Sequence, residues 1–142
     1  MAAVRTFIVD DSRAWRRAVC ALLCDHLDVV VICESADGLD AVRKSEELQP
    51  DLVLLDIGLP NLNGLEAARQ IREVSPGSRI LFLTSYDSPE FLQEALSIGA
   101  LGFVVKSHAA RDLLSAVRAV LQDEQFFEGG LYPENPTIPP RT

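Results

Sequence analysis

Five side chains in this sequence could do chemistry together if the fold brought them to one place: the adjacent carboxylates Asp10 and Asp11, a third carboxylate at Asp56, the hydroxyl of Thr84 and the amine of Lys106. Three carboxylates side by side repel one another and are stable only around a cation. A donor set of hard oxygens, with no histidine or thiolate, suits Mg²⁺, with Mn²⁺ as a substitute. Such an ion would hold the carboxylates ionised, orient one as a nucleophile and neutralise charge on an incoming phosphoryl group. The lysine and threonine would then supply a positive charge and a hydrogen bond to phosphoryl oxygens, and the product would be an aspartyl phosphate.

Each residue also has a plainer reading. Asp10 or Asp11 could cap a helix beginning near Ser12, and Asp56 could be a turn residue before Gly58 and Pro60. Thr84 could bond a nearby backbone group at a strand end, and Lys106 could be a solvated surface lysine. What these readings leave unexplained is the position of the residues along the chain. Apolar strand-like runs at Val4 to Val9, Val29 to Glu34, Leu52 to Leu55, Ile80 to Leu83 and Gly102 to Val105 alternate with amphipathic stretches. That alternation predicts a parallel sheet with helices on both faces, and the runs are nearly unbroken Val, Ile, Leu and Phe, as strands buried on both faces require. Asp10, Asp56, Thr84 and Lys106 each follow one of these runs directly. In an open parallel sheet, ligands bind outside the carboxyl ends of the strands, so the candidate residues share the edge where chemistry is expected.

The predicted helices cover Arg13 to Leu27, Leu39 to Glu47, Leu65 to Val74, Pro89 to Ile98 and Ala109 to Gln125. Ser88 before Pro89 reads as an N-cap, Asn63-Gly64 as a turn feeding the third helix, and Pro76-Gly77 and Gly99 as helix ends. Residues Glu128 to Thr142, with four prolines and two glycines, read as a linker or tail after a domain covering residues 1–127. A hydrophobic content of 48% supports one core without disulfides. Cys20, Cys24 and Cys33 form no CxxC pair, and the first two read as small apolar residues on a buried helix face. A net charge of −8 argues against broad capture of nucleic acid or anionic membrane. No signal peptide or apolar run of membrane-spanning length is present, so a cytoplasmic protein is expected. No glycine-rich nucleotide loop occurs, and Gly58 stands where aspartyl-phosphate phosphatases typically place a second aspartate.

The segments FIVDDS, LVLLDIGLPNLNG, ILFLTSY and GALGFVVKS resemble, in order, the signature blocks of response-regulator receiver domains. The likeness extends over about residues 4 to 126, and the intervals of 28 residues from Asp56 to Thr84 and 22 from Thr84 to Lys106 resemble the NarL/FixJ-type subgroup with LuxR outputs. The resemblance implies a flavodoxin-like doubly wound (βα)5 fold with five parallel strands in the order 2-1-3-4-5. It implies Asp56 as phosphoacceptor, Asp11 as a direct Mg²⁺ ligand, Asp10 as a ligand or holder of metal-bound water, and the Gly58 carbonyl as a further ligand. Lys106 would pair with Asp56 before reaction and with the phosphoryl group after it. Thr84 would swing toward the phosphoryl oxygen, and Phe103 would follow by changing rotamer.

The implied partners are a sensor histidine kinase and, on phosphorylation, a second copy of the chain, with Trp15, Arg16 and Arg17 as candidate contacts. DNA would be reached only through an output domain outside these 142 residues. Such a protein is a switch rather than an enzyme, although it catalyses its own phosphoryl transfer and dephosphorylation. The alternative is a receiver-like interaction module that acts without phosphorylation. The sequence departs from the family at Ser107, where many receivers have proline after the lysine, and a trans Lys106-Ser107 peptide is expected. Gly58 and Tyr86 occupy positions that tune access of water to the phosphate, and Phe103 lacks the hydroxyl of a tyrosine.

Overall fold

A computed structural model describes residues 3–127, and the expected tail falls outside them. The chain alternates β1 (Val4–Val9), α1 (Arg13–His26), β2 (Val29–Ser35), α2 (Gly38–Leu48), β3 (Leu52–Leu55), α3 (Gly64–Val74), β4 (Arg79–Thr84), α4 (Pro89–Ile98), β5 (Gly102–Val105), α5 (Ala109–Leu121) and β6 (Phe126–Phe127). A short 3₁₀ turn at Lys106–His108 joins β5 to α5. The strands are parallel and lie in the order β2-β1-β3-β4-β5-β6.

This is the flavodoxin-like arrangement implied above, corrected from five strands to six. The fifth helix stops at Leu121 rather than Gln125, because Asp123 takes a left-handed φ of 61° and turns the chain back toward the sheet. Phe126 and Phe127 then pair with Gly102 and Phe103 on the outer edge of β5. Burial of Phe127, at 1% exposure, supplies the apolar contribution that makes so short a strand worth forming.

Each sheet face has its own core. On one face Phe7, Val9, Leu55, Phe82, Phe103 and Phe127 pack with Ala68, Ile71, Leu92 and Ala95 of α3 and α4. On the other, Ile8, Leu54, Leu81 and Val104 meet Val19 and Leu23 of α1 and Leu113 and Val117 of α5. Strand alternation explains the division, since successive residues point to opposite faces. Cys20 and Cys24 do not sit on a buried face as expected. Cys24 is exposed and Cys20 half-buried, with their sulfurs 3.9 Å apart.

Helix starts follow their capping side chains: Ser12, Asp37, Asn63 and Ser88 accept the amides of Trp15, Asp40, Glu66 and Phe91. Gly99 ends α4 with a φ of 101°, whereas α3 ends at Val74, before Pro76-Gly77. No helix among the described residues is long and apolar enough to cross a membrane.

Candidate functional site

Because all strands run the same way, the residues that follow them emerge on one edge. Val9 pairs with Leu55, and Leu55 with Phe82, so Asp10 and Asp56 leave neighbouring strands at the same level, with Thr84 ending the next. Carboxylate oxygens of Asp10, Asp11 and Asp56 come within 4.8 Å of one another. Asp10 and Asp56 are buried and Asp11 is exposed, so the cluster is reached from solvent through Asp11. The oxygen-only donor set fits a hard divalent cation.

The helix-capping reading of Asp10 and Asp11 is replaced by Ser12, whose hydroxyl caps α1. Asp10 instead accepts the Ser12 amide on Oδ1 at 2.8 Å, which fixes its carboxylate against the start of the helix. Asp56 is placed by main chain as well. The Gly64 amide donates to the Ile57 carbonyl at 2.7 Å, and a Cβ at Gly64 would lie 1.9 Å from the Asp56 carbonyl oxygen. Only glycine lets the first turn of α3 press this closely on the Asp56 backbone. The Ile57 amide donates to Asp56 Oδ1 at 2.7 Å.

Lys106 reaches into the cluster rather than into solvent. Its Nζ lies 2.7 Å from Asp10 Oδ2 and 3.1 Å from Asp56 Oδ2. The nearer partner is Asp10, an ion pair that the pairing of Lys106 with Asp56 left out. Burial by itself would lower the lysine pKa, but the bonds and charges from Asp10 and Asp56 outweigh it and hold the amine above its ordinary value. Burial pushes the Asp10 carboxyl up and the Asp56 charge adds to this, with the Lys106 and Ser12 hydrogen bonds only partly offsetting them. The site is a partly buried cluster in which three carboxylates face one ammonium.

Thr84 is fully buried, and its hydroxyl accepts the Tyr86 amide at 3.2 Å, the local backbone contact of the plainer reading. Phe103 is fully buried, its ring centre 6.2 Å from that of Phe82. Tyr86 packs over Gly58, where a Cβ would meet its hydroxyl at 2.9 Å, and lies tilted against Phe91 with ring centres 5.3 Å apart. The missing side chain at Gly58 is therefore what makes room for the Tyr86 ring. No cis peptide occurs among the described residues, so the Lys106-Ser107 bond is trans as expected.

Two residues join the site unannounced by their spacing. Arg16 donates to the Asp10 carbonyl at 2.6 Å and to Glu34 at 2.9 Å, which ties the loop after β1 to β2. Trp15 places its ring 4.9 Å from the Lys106 ammonium. A groove of about 360 Å³ between α1 and α5 opens beside this pair. Sequence spacing placed Trp15 and Arg16 on the first helix without showing what they would meet.

The family model of the response regulator receiver domain matches residues 6–118. Response regulator protein VraR of Staphylococcus aureus is 33% identical over 125 residues, covering 88% of this chain but only 60% of that protein. A two-component response regulator of the LuxR family from Aurantimonas sp. SI85-9A1 superposes with a TM-score of 0.83 at 33% identity, over 88% of this chain and 89% of that one. The signal receiver domain of the putative response regulator NarL from Mycobacterium tuberculosis gives a TM-score of 0.79 at 29% identity, over 86% and 98% of the two chains. The match extends through the strand ends that carry the acidic cluster, Thr84 and Lys106, and the chain belongs to the response-regulator receiver domains, with relatives of the LuxR and NarL types.

Proposed function

We propose that the chain is a cytoplasmic, phosphorylation-dependent switch that takes a phosphoryl group onto Asp56 from a sensor histidine kinase and controls a DNA-binding transcription output. The observation that carries this is Lys106, held between Asp10 and Asp56 inside a three-carboxylate cluster. Asp10, Asp11, Asp56 and the Gly58 carbonyl would hold Mg²⁺, which when bound supplies charge neutralisation for the approaching phosphoryl group.

An Asp56 carboxylate oxygen attacks phosphorus, the bond from phosphorus to the donor nitrogen breaks, and the departing imidazole keeps that electron pair and is protonated. Lys106 donates to the oxygens of the transferred group, and the Thr84 hydroxyl turns from the Tyr86 amide to the same oxygens. Phosphorylation adds about −1.5 to −2 charges. The arrangement of Lys106, Thr84 and Phe103 that satisfies them is favoured by differential contacts with two conformations. Hydrolysis back to the carboxylate resets the switch, with Tyr86 over Gly58 limiting the approach of water.

The same reading includes a phosphorylation-dependent homodimer, which the groove between α1 and α5 supports as a surface, and DNA contact through an output domain. The test is intact-mass spectrometry after incubation with Mg²⁺ and acetyl phosphate or phosphoramidate. The expected result is a gain of one phosphoryl mass in the wild type and none in Asp56→Asn. A folded wild type that gains no mass with either donor would instead indicate an interaction module working without phosphorylation.

A further inference from the structure

Lys106 is held from three sides, and only two of them are carboxylates. Its Nζ lies 2.7 Å from Asp10 Oδ2, 3.1 Å from Asp56 Oδ2 and 4.9 Å from the centre of the Trp15 ring. That last distance is well inside the range in which an aromatic face attracts a cation, and tryptophan is the strongest of the aromatic partners. Trp15 is itself fixed. Its amide donates to the Ser12 hydroxyl at 3.2 Å in the first turn of α1, and its side chain packs against the α1 and α5 core. One short segment, Asp10 to Trp15, therefore delivers both the nearer carboxylate and the ring that faces the ammonium.

The two kinds of contact respond differently to the reaction. Asp10 is a partner of Lys106 and also a candidate ligand for a hard cation, so a cation in the cluster competes for the oxygens that orient the amine. The indole face offers no lone pair to such a cation and keeps its attraction for the ammonium. We propose that Trp15 is a positioning residue for phosphoryl acceptance: it holds Lys106 at the reaction centre by a contact for which a cation held by Asp10 would not compete. The inference rests on the phosphorylation of Asp56 proposed above. Trp15 acts through Lys106 and touches neither donor nor product.

Two measurements on Trp15→Leu, Trp15→Phe and wild type, each checked for folding by circular dichroism, decide the matter. In metal-free protein with labelled lysine, the ε-methylene protons of Lys106 should be shifted upfield by the ring in wild type. Trp15→Phe should retain part of the shift and Trp15→Leu none. With Mg²⁺ and phosphoramidate, the maximal phosphorylation rate of Trp15→Leu should fall ~3- to 10-fold with donor half-saturation unchanged, and Trp15→Phe should recover part of the loss. If Trp15→Leu does not fold, Trp15→Phe alone carries the test, with an expected ~2-fold fall in rate.

An absent ring shift in wild type, or an unchanged rate in the folded variant that lacks the full indole, overturns the role of Trp15 while Asp56 remains the acceptor. A wild type that shows the ring shift but takes up no phosphoryl group overturns the proposed function itself, and the positioning role with it.

Discussion

The two edges of the sheet treat charge in opposite ways. At the amino edge, Arg5 donates to the Leu48 and Gln49 carbonyls at 2.7 Å each, while its own amide donates to Asp51. Ser78 donates to the Pro50 carbonyl and is 2.7 Å from the Ser75 hydroxyl, and Arg79 meets Asp123 at 2.9 and 3.2 Å. Each of these side chains has a partner in the fold itself. At the carboxyl edge, three carboxylates cluster with only Lys106 between two of them, and burial raises the Asp10 pKa, with the Asp56 charge adding to it. One edge closes the fold. The other gathers negative charge that a bound cation would offset.

Substitutions at the two edges should therefore differ in whether Mg²⁺ changes their effect. The largest expected loss is at Gly64→Ala, where a Cβ would lie 1.9 Å from the Asp56 carbonyl oxygen. Overpacking there should cost about 3 kcal/mol in urea unfolding. Because the loop carrying Asp56 must shift, the stabilisation by Mg²⁺ should shrink as well. Lys106→Met should cost about 2 kcal/mol without metal, since it removes the ammonium from buried carboxylates, and most of that should return when Mg²⁺ is added. Equal losses with and without Mg²⁺ would contradict that offset.

At the amino edge, Ser78→Ala should cost about 1 kcal/mol, the usual value of a buried hydrogen bond, and Mg²⁺ should leave the loss unchanged. The smallest effect is expected at Asp10→Asn, and its sign is the opposite. The Asp10 pKa in the fold lies above its ordinary value, so stability is lost as pH rises from that ordinary value through the folded one. At neutral pH without metal, the neutral asparagine should thus raise the melting temperature slightly. The gain should fade on acidification, when Asp10 itself becomes neutral, and a melting series against pH would show the crossover. Adding Mg²⁺ should reverse the ranking in favour of wild type.

The carboxyl edge was legible because buried parallel strands announce themselves as apolar runs, and Asp10, Asp56, Thr84 and Lys106 each stand directly after one. The capping chemistry of Ser88 was equally local and held. What escaped depended on meetings between distant segments. Helical periodicity puts Trp15 on a face of α1 but does not say that a lysine 91 residues later will lie against its ring. Nor does it say that Arg16 will bond the Asp10 carbonyl, or that Lys106 will sit nearer Asp10 than Asp56. The sixth strand escaped for a different reason. Leu121 to Gln125 continues an acceptable helical pattern, and two phenylalanines form too short a run to show a period.

That sixth strand changes how force enters the domain. A chain leaving at the end of α5 would part from the sheet at its amino edge. The turn at Asp123 reverses the heading, so that Phe126 and Phe127 run parallel to β5, beside Gly102 and Phe103 and only three residues from Lys106 at their nearest register partner. Tension applied along the chain at Phe127 would consequently be borne in shear by the strand whose end carries Lys106. A mechanical load there and the phosphoryl transfer proposed for Asp56 would meet at β5, through Lys106.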